Sequence, residues 1–206
     1  MHVPDGILSP PVVLGTSAVT LAVLAQSVRA VRRDLEPERL PAMGAVAAFL
    51  FAAQMVNFPL LGAATSGHLI GGAFAAILFG FYPATLIMAV ILFLQAILFQ
   101  DGGITALGLN ILAMGIVAPL IGRVVYVGLS RLPDAVRVFV ASWTSVEAGA
   151  LIIALMLGLS GVVPYGPAIA TLLFWHAWIG IGEGLITAVI LPFVRRSAYR
   201  LVDEAE

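Results

Sequence analysis

The sequence of 206 residues contains no cysteine and no lysine, and only 10% of its residues are charged. Without cysteine the chain has neither disulfides nor thiolate metal sites, so nitrogen or oxygen must bind any metal. A soluble domain carries about 25% charged residues, whereas this chain is 61% hydrophobic with a mean hydropathy of +1.09. This composition excludes a water-soluble fold.

Several sequence motifs are also absent. The chain has no GxxxxGK[ST] phosphate loop, no HExxH helix and no GxSxG elbow, so it carries no signature of an ATPase, a zinc protease or a serine hydrolase. We therefore expect a protein that is not an enzyme and that needs no cofactor or nucleic acid. If ATP drives its activity, another protein must hydrolyse it.

Apolar runs bounded by proline, glycine and charge predict an all-α integral membrane protein, a single bundle over residues 1–206 with about seven transmembrane helices. The third run is short and glycine-rich, so we expect it to span incompletely or to lie inside the bundle. The predicted spans are 11–28, 41–58, 67–81, 83–99, 104–129, 136–160 and 167–194.

The ten basic residues are all arginines, and they fall after the first run, around the fifth-to-sixth connection and after the seventh run. Seven spans place all of them on one face, which the positive-inside rule assigns to the cytoplasm. The N-terminus, the connection around 65–68, the turn 100–103 and the loop 161–166 then share the outer face. A six-span alternative with a re-entrant third run scatters the arginines. No basic residue precedes Arg29, so we expect the N-terminus to be retained.

Two of the three histidines, His2 and His68, lie on the predicted outer face. A bulky second residue blocks removal of Met1, so the free α-amine lies one peptide from the His2 ring. Amine and amide nitrogens close a five-membered chelate with a metal, and amide and ring nitrogens a six-membered one. The ring of His68 is the obvious fourth donor. The alternative is a disordered terminal His2 and a hydrogen-bonded loop His68.

Four nitrogens in a square favour Ni²⁺ or Cu²⁺ over Zn²⁺, Mg²⁺ or Ca²⁺, and Co²⁺ also fits. The ligands must be deprotonated, and an α-amine ordinarily titrates near 7.7–8.0. We therefore expect metal affinity to fall steeply below about pH 6.5.

Further polar residues accompany this candidate site. Asp5 and Asp101 share the outer face, where a carboxylate can orient a ligating imidazole or cap a helix or turn. Gln54 and Asn57, near the outer end of the second span, could hold the binding turn by hydrogen bonds.

His176 and Glu183 lie on one stripe of the last helix with Gly180, Gly184 and Thr187. A buried ionisable group at membrane depth serves ion passage or packing, which the sequence leaves open. The glycines indicate either close helix packing inside the bundle or a docking face for another membrane subunit.

Two other functions compete with metal capture. An intramembrane enzyme would use His176 and Glu183 as an acid and base, but seven residues separate them by about 10 Å along the helix. An ion-gradient-driven secondary transporter would use Glu147 and Glu183.

Five segments together resemble the CbiM/NikM family of energy-coupling factor transporters. They are MHVPDG at 1–6, QMVNFP at 54–59, TSGHL at 65–69, FQDGG at 99–103 and HAWIGIGEG at 176–184. The resemblance extends over nearly the whole chain.

This resemblance implies the substrate-binding subunit of an ABC-type importer for Ni²⁺ or Co²⁺ in the cytoplasmic membrane. Its metal ligands are the Met1 amine, the His2 amide and ring, and the His68 ring, in an N-terminal segment 1–10 and a turn that contains Ser66. The implied partners are an EcfT-type transmembrane coupling subunit, a cytoplasmic EcfA-type ATPase, often a small accessory membrane protein, and membrane lipid. The Pro-Asp-Gly start resembles the nickel branch more than the cobalt branch, whose members feed cobalamin synthesis.

Overall fold

The computed structural model describes residues 1–56, 58–59 and 66–203. Helices dominate it, and the two-residue strands β1 (Phe58–Pro59) and β2 (Ser66–Gly67) form one antiparallel pair. The helices are α1 Pro10–Asp34, α2 Leu40–Gln54, α3 Gly72–Phe79, α4 Phe81–Leu94, α5 Leu107–Asn110, α6 Ala118–Gly128, α7 Asp134–Leu159 and α8 Tyr165–Asp203. A 3₁₀ turn, Pro37–Arg39, precedes α2.

Two of the predicted spans are interrupted by π-helical turns. The segment Gln95–Phe99 extends α4 to a continuous helix of 19 residues, and Ile111–Val117 joins α5 to α6 in a helix of 22 residues. Such turns widen a helix locally and are common at functional sites. Here Gln95 begins the first turn and Asn110 directly precedes the second.

Five helices of the described residues are long and apolar enough to cross a membrane. They correspond to the predicted first, fourth, fifth, sixth and seventh spans. The other two predicted spans are shorter helices. The 15 residues of α2 and the 8 residues of α3 reach only about 22 and 12 Å at 1.5 Å per residue.

The predicted boundaries of these two short helices are wrong for local reasons. The second span was expected to reach residue 58, but α2 ends at Gln54 and Pro59 lies in β1. The third span was expected over 67–81, but Gly71 and Gly80 have φ of +77° and +85°. This left-handed backbone, which glycine tolerates best, confines α3 to the residues between them.

Short α3 lies inside the bundle, where Gly72–Ile77 are all buried. Around it one hydrophobic cluster includes Val3 from the N-terminal segment, Met88 from α4, Met114 from the second π turn and Val146 from α7. The N-terminal segment therefore belongs to the core of the bundle.

The last two helices pack closely because α8 presents glycines to aromatic residues of α7. Gly180 lies against Trp143 and Gly184 against Phe139, and the Trp143 indole donates to the Ala177 carbonyl at 3.1 Å. The GxxxG pair is thus used for packing within the chain.

At the other end of these helices, Arg195 of α8 links α6 and α7. Its guanidinium donates to the Asp134 carboxylate at 3.0 Å and to the Tyr126 hydroxyl at 2.8 Å. Arg137 lies over the Tyr126 ring, 4.1 Å from its centroid. These contacts fix the arginine-bearing end of α8 to its neighbours.

The contact between α3 and α6 gives a stability test. A Cβ added at Gly122 would lie 2.8 Å from the Ala73 Cα, whereas one at Gly128 on the same helix would meet no atom within 4 Å. We expect Gly122→Ala to lower the free energy of unfolding by about 1–3 kcal/mol because the backbones must separate. The melting temperature in detergent should fall by several degrees in Gly122→Ala. The matched control Gly128→Ala should keep the wild-type value. Equal melting temperatures for the two variants would contradict this packing.

Candidate metal centre

The first three residues enter the bundle, where the Val3 peptide groups are hydrogen-bonded as those of a β-strand are by its neighbour. Asn110 accepts the Val3 N–H at 2.9 Å and donates to the Val3 carbonyl at 3.0 Å, and the Gly103 N–H donates to the same carbonyl at 2.9 Å. Met1 is 6% exposed and Val3 4%. Because buried peptide groups need partners, these bonds permit the chain terminus to be buried.

Asp5 ties the outer part of this segment to the turn before α5. Its carboxylate accepts the backbone N–H of Ile104 at 3.1 Å and of Thr105 at 2.7 Å, and also the Thr105 hydroxyl. The bonds from Thr105 lower the pKa of Asp5. Asp5 therefore holds two segments together and does not orient an imidazole.

The terminal amine meets a loop histidine from the other side of the bundle. The Met1 nitrogen lies 3.2 Å from His68 Nε2, and His68 Nδ1 donates to the Leu69 carbonyl at 2.8 Å. Because the carbonyl can only accept, the proton is assigned to Nδ1, and the Nε2 lone pair faces the amine. The His2 and His68 rings stack with centroids 4.7 Å apart and an interplanar angle of 15°.

A carboxylate positions the second imidazole. Asp101 Oδ1 accepts a hydrogen bond from His2 Nδ1 at 2.8 Å. On the other side of the ring the Gln95 side chain lies beside His2, but neither His2 Nε2 nor Gln95 Oε1 has a hydrogen-bond partner among the described residues. Two buried acceptors thus lack a donor.

Burial keeps these nitrogens neutral. It lowers the pKa of the Met1 amine from 8.0 to about 5. Burial, and then the nearby terminus and His2, lower the pKa of His68 well below its usual value. Burial also lowers the pKa of His2, against the opposing effect of the Asp101 bond. That same bond lowers the pKa of Asp101, so a carboxylate faces neutral nitrogen donors.

A chain of buried side chains lies beneath the two histidines. Glu183 accepts the N–H groups of Ile70 and Gly71 at 2.6 and 3.0 Å. Gln54 donates to the Ile70 carbonyl at 2.6 Å and accepts from Gln95 Nε2 at 2.9 Å. The chain therefore connects α8, the His68 loop, α2 and the end of α4.

The structure brings most of the residues singled out in the sequence to this site, with three exceptions. Asn57 and the Ser66 side chain lie outside the described residues. His176 is buried in α8, where its Nδ1 donates to the Leu172 carbonyl at 2.7 Å, and Glu183 is engaged by the His68 loop. The proposed acid and base pair is thus not assembled.

Sequence reasoning missed Asn110 and Gln95. Both are amides inside long apolar runs, where a buried polar side chain must find a partner, so their position was the available signal. Among the described residues, no three His, Cys, Asp or Glu side chains form a metal-binding group.

Comparison with known proteins places the chain in a family. The sequence model described as the cobalt uptake substrate-specific transmembrane region, CbiM, matches residues 2–201. The chain belongs to the CbiM family. It is 41% identical to a Haloquadratum walsbyi protein named for metal transport, over 98% of this chain and 93% of that protein.

Two further relatives of this CbiM family member extend the comparison. It is 34% identical to the fused nickel transport protein NikMN of Rhodobacter capsulatus, over 96% of this chain and 62% of that longer protein. The crystal structure of a truncated transition metal transporter superposes with a TM-score of 0.88 at 31% identity, over 96% of this chain and 99% of the other. The long apolar helices and these relatives make the chain a multi-pass membrane protein.

The attachment of the N-terminal segment can be tested at Asn110. Asn110→Ala removes both bonds to the Val3 peptide, and Asn110→Asp keeps an acceptor but not the amide donor. The Val3 carbonyl keeps its bond from Gly103 in both variants, whereas the Val3 N–H loses its partner only in the alanine variant, at a cost of about 1–3 kcal/mol. The segment should therefore open more often in the order wild type, Asp, Ala. Deuterium exchange of the peptides around Val3 and Gly103 measures this, with a peptide from α7 as the internal control. Unchanged exchange in the alanine variant would refute the role of Asn110.

Proposed function

We propose that this CbiM family member is the substrate-binding membrane subunit of a transition-metal importer, which captures Ni²⁺ in preference to Co²⁺. The observation that carries the proposal is the approach of the buried Met1 amine to His68 Nε2 at 3.2 Å, beside the stacked ring of His2. The fused nickel transport protein and the cobalt transport protein CbiM of Clostridium tetani, 28% identical over 98% of this chain, support this class of substrate.

The proposed ligands are the α-amine of Met1, the amide and ring nitrogens of His2 and the ring nitrogen of His68. Neutral amine and imidazole nitrogens are donors for late first-row metals, and a planar set of four suits Ni²⁺. A chelate that includes an amide nitrogen loses the amide proton on binding. Hard cations such as Mg²⁺ and Ca²⁺ prefer oxygen and would be rejected.

Metal binding requires the His2 ring to change partners. The six-membered chelate uses Nδ1, which donates to Asp101 in the structure. A half-turn of the ring about Cβ–Cγ, with transfer of the ring proton from Nδ1 to Nε2, frees Nδ1 and brings the Nε2–H to the side of Asp101, which then orients the ligating ring. The same turn replaces the unpartnered Nε2 beside Gln95 with a carbon, so one unpaired buried acceptor is removed.

The remaining parts of the proposal concern the whole importer. The chain forms one bundle whose residues 1–10 bind the metal on the outer face of the cell membrane, with the C-terminus in the cytoplasm. The short helices α2 and α3, which each cover only part of the membrane thickness, bring the number of membrane segments to seven. A transmembrane coupling subunit and a cytoplasmic ATPase of the energy-coupling factor type supply the energy. The fused relatives, named NikMN and CbiMQ, favour close association with other membrane components.

The free terminus is the feature to test first. Adding Gly-Ser before Met1 removes the amine from its position but leaves both histidines in the chain. We expect this extension to weaken Ni²⁺ binding at least about 100-fold because one of four ligands is lost. Calorimetric titration of the purified full chain with Ni²⁺ and Co²⁺ measures both affinity and stoichiometry.

Two controls accompany this experiment. The same dipeptide added after Glu206 should leave affinity unchanged. His68→Gln, which keeps an acceptor near the amine but has no imidazole, should weaken binding as strongly as the N-terminal extension. One-to-one binding of equal strength in all four proteins would place the metal elsewhere.

Proton release tests the electrostatics of the site. An exposed amine with its ordinary pKa would lose its proton together with the amide, so about two protons would be released per metal at pH 7. The buried amine, with its pKa near 5, is already neutral, and only about one proton should leave. Below pH 5 the amine is protonated, and affinity should fall more steeply with each pH unit. The steep loss of metal affinity is therefore expected below about pH 5, which is lower than the pH 6.5 expected from the sequence.

Titration calorimetry in buffers of different ionisation enthalpy counts these protons. Release of about two protons at pH 7 would show that the amine is not held neutral by the bundle. A count near zero would remove the amide nitrogen from the ligand set.

A further inference from the structure

The Glu183 carboxylate is fully buried in α8, with 1% exposure, and both of its oxygens are used. Oε2 accepts the Ile70 N–H at 2.6 Å and Oε1 accepts the Gly71 N–H at 3.0 Å. Gly71 has φ of +77°, a conformation in which successive N–H groups can converge on one anion. The bound peptides directly follow His68 and Leu69.

Two hydrogen bonds of Glu183 attach α8 to this loop. Two crevices flank Glu183, and the loop and α8 both line each of them. One crevice is lined by Leu50, Gln54, Ile70, Gly71 and Thr187, among others, and the second by Ala53, Leu69, Trp178, Ile179 and Gly182, among others. The carboxylate crosses the gap between them.

The Ile70 peptide is also held from its opposite side. Its carbonyl accepts from Gln54, which in turn accepts from Gln95 beside His2. Glu183, Gln54 and Gln95 are all buried, with 0–1% exposure. Buried side chains therefore hold the Ile70 peptide of the His68 loop from both sides.

The same helix reaches the arginine-bearing end of the bundle. Arg195 follows Glu183 by twelve residues, about 18 Å at 1.5 Å per residue. It is bonded there to Asp134 and Tyr126. Helix α8, which contains Pro192 between these two residues, thus reaches from the loop of His68 to the opposite end of the molecule.

We propose that Glu183 is a positioning residue, which fixes the position of the His68 ring by binding the Ile70 and Gly71 peptides that follow it in the loop. Metal affinity then depends on the position of α8. The inference rests on the proposed metal capture and adds a mechanical link to it. A shift of α8 that withdraws the carboxylate leaves two buried N–H groups unpaired and releases the loop. By reciprocity, metal binding favours the α8 position that engages the loop.

Glu183→Gln tests this link with little change in size. The amide nitrogen of glutamine is a donor that would face a backbone N–H, so one of the two bonds is lost. We expect Ni²⁺ affinity of the full chain to fall about 10- to 100-fold, as for other groups that position metal ligands. Faster Ni²⁺ dissociation should account for the loss, and deuterium exchange of the peptide containing Ile70 and Gly71 should rise.

Glu147→Gln is the matched control. It makes the same change at a second carboxyl of the bundle, on α7, and Glu147 Oε1 has no hydrogen-bond partner among the described residues. Its affinity should stay within about twofold of wild type, because no ligand loop depends on it.

A double variant separates positioning from general destabilisation. If Glu183 acts through His68, Glu183→Gln should cause no further loss of affinity in a His68→Ala chain. A purely structural role would instead lower affinity by the same factor in both backgrounds, and that result would overturn the inference. So would equal affinities of Glu183→Gln and Glu147→Gln.

Two further outcomes keep the inference testable. If Glu183→Gln fails to fold, Glu183→Asp serves, because it keeps both acceptors but withdraws them by about 1.5 Å. Glu183→Asp must then lower Ni²⁺ affinity in the wild-type background and cause no further loss in the His68→Ala background. If wild type binds Ni²⁺ through the free terminus and neither Glu183 variant weakens it, the proposed function stands and this inference fails. If wild type does not bind through the terminus, the proposed function itself fails.

Discussion

The hydrogen bonds between Asn110 and the Val3 peptide are the interaction on which the site depends. A chain terminus has unpaired peptide groups and an amine that prefers water, so its burial in an apolar bundle is unfavourable by several kcal/mol unless the peptide groups find partners. Asn110 supplies a donor and an acceptor in the geometry of a neighbouring strand. The terminal amine is thereby brought to His68 and kept neutral by the same burial.

The helices that supply this support are irregular where they approach the terminus. One π turn begins at Gln95 and another follows Asn110, and each places a buried amide beside the N-terminal segment. A regular helix directs its side chains by a fixed rotation of 3.6 residues per turn, and a π turn resets that rotation locally. The departures from α-helix therefore position polar groups that regular geometry would direct elsewhere.

The donor set follows from the composition of the chain. The chain has no cysteine and three histidines, and two of the proposed donors are imidazoles. In the proposed set, the main-chain nitrogens of Met1 and His2 supply the other two.

The sequence by itself determined the all-helical membrane character and the candidate ligands Met1, His2 and His68. Hydropathy follows from composition over about 20 residues, and a terminal chelate is local in the chain. The short, glycine-rich third run also predicted that this segment lies inside the bundle, as α3 does. Only the tertiary structure decided that Asp5 ties two segments together and that Glu183 holds the His68 loop. These results depend on contacts between residues about 100 positions apart, such as Glu183 with Ile70. No local periodicity encodes which buried polar groups will meet, because the packing of the whole bundle selects them.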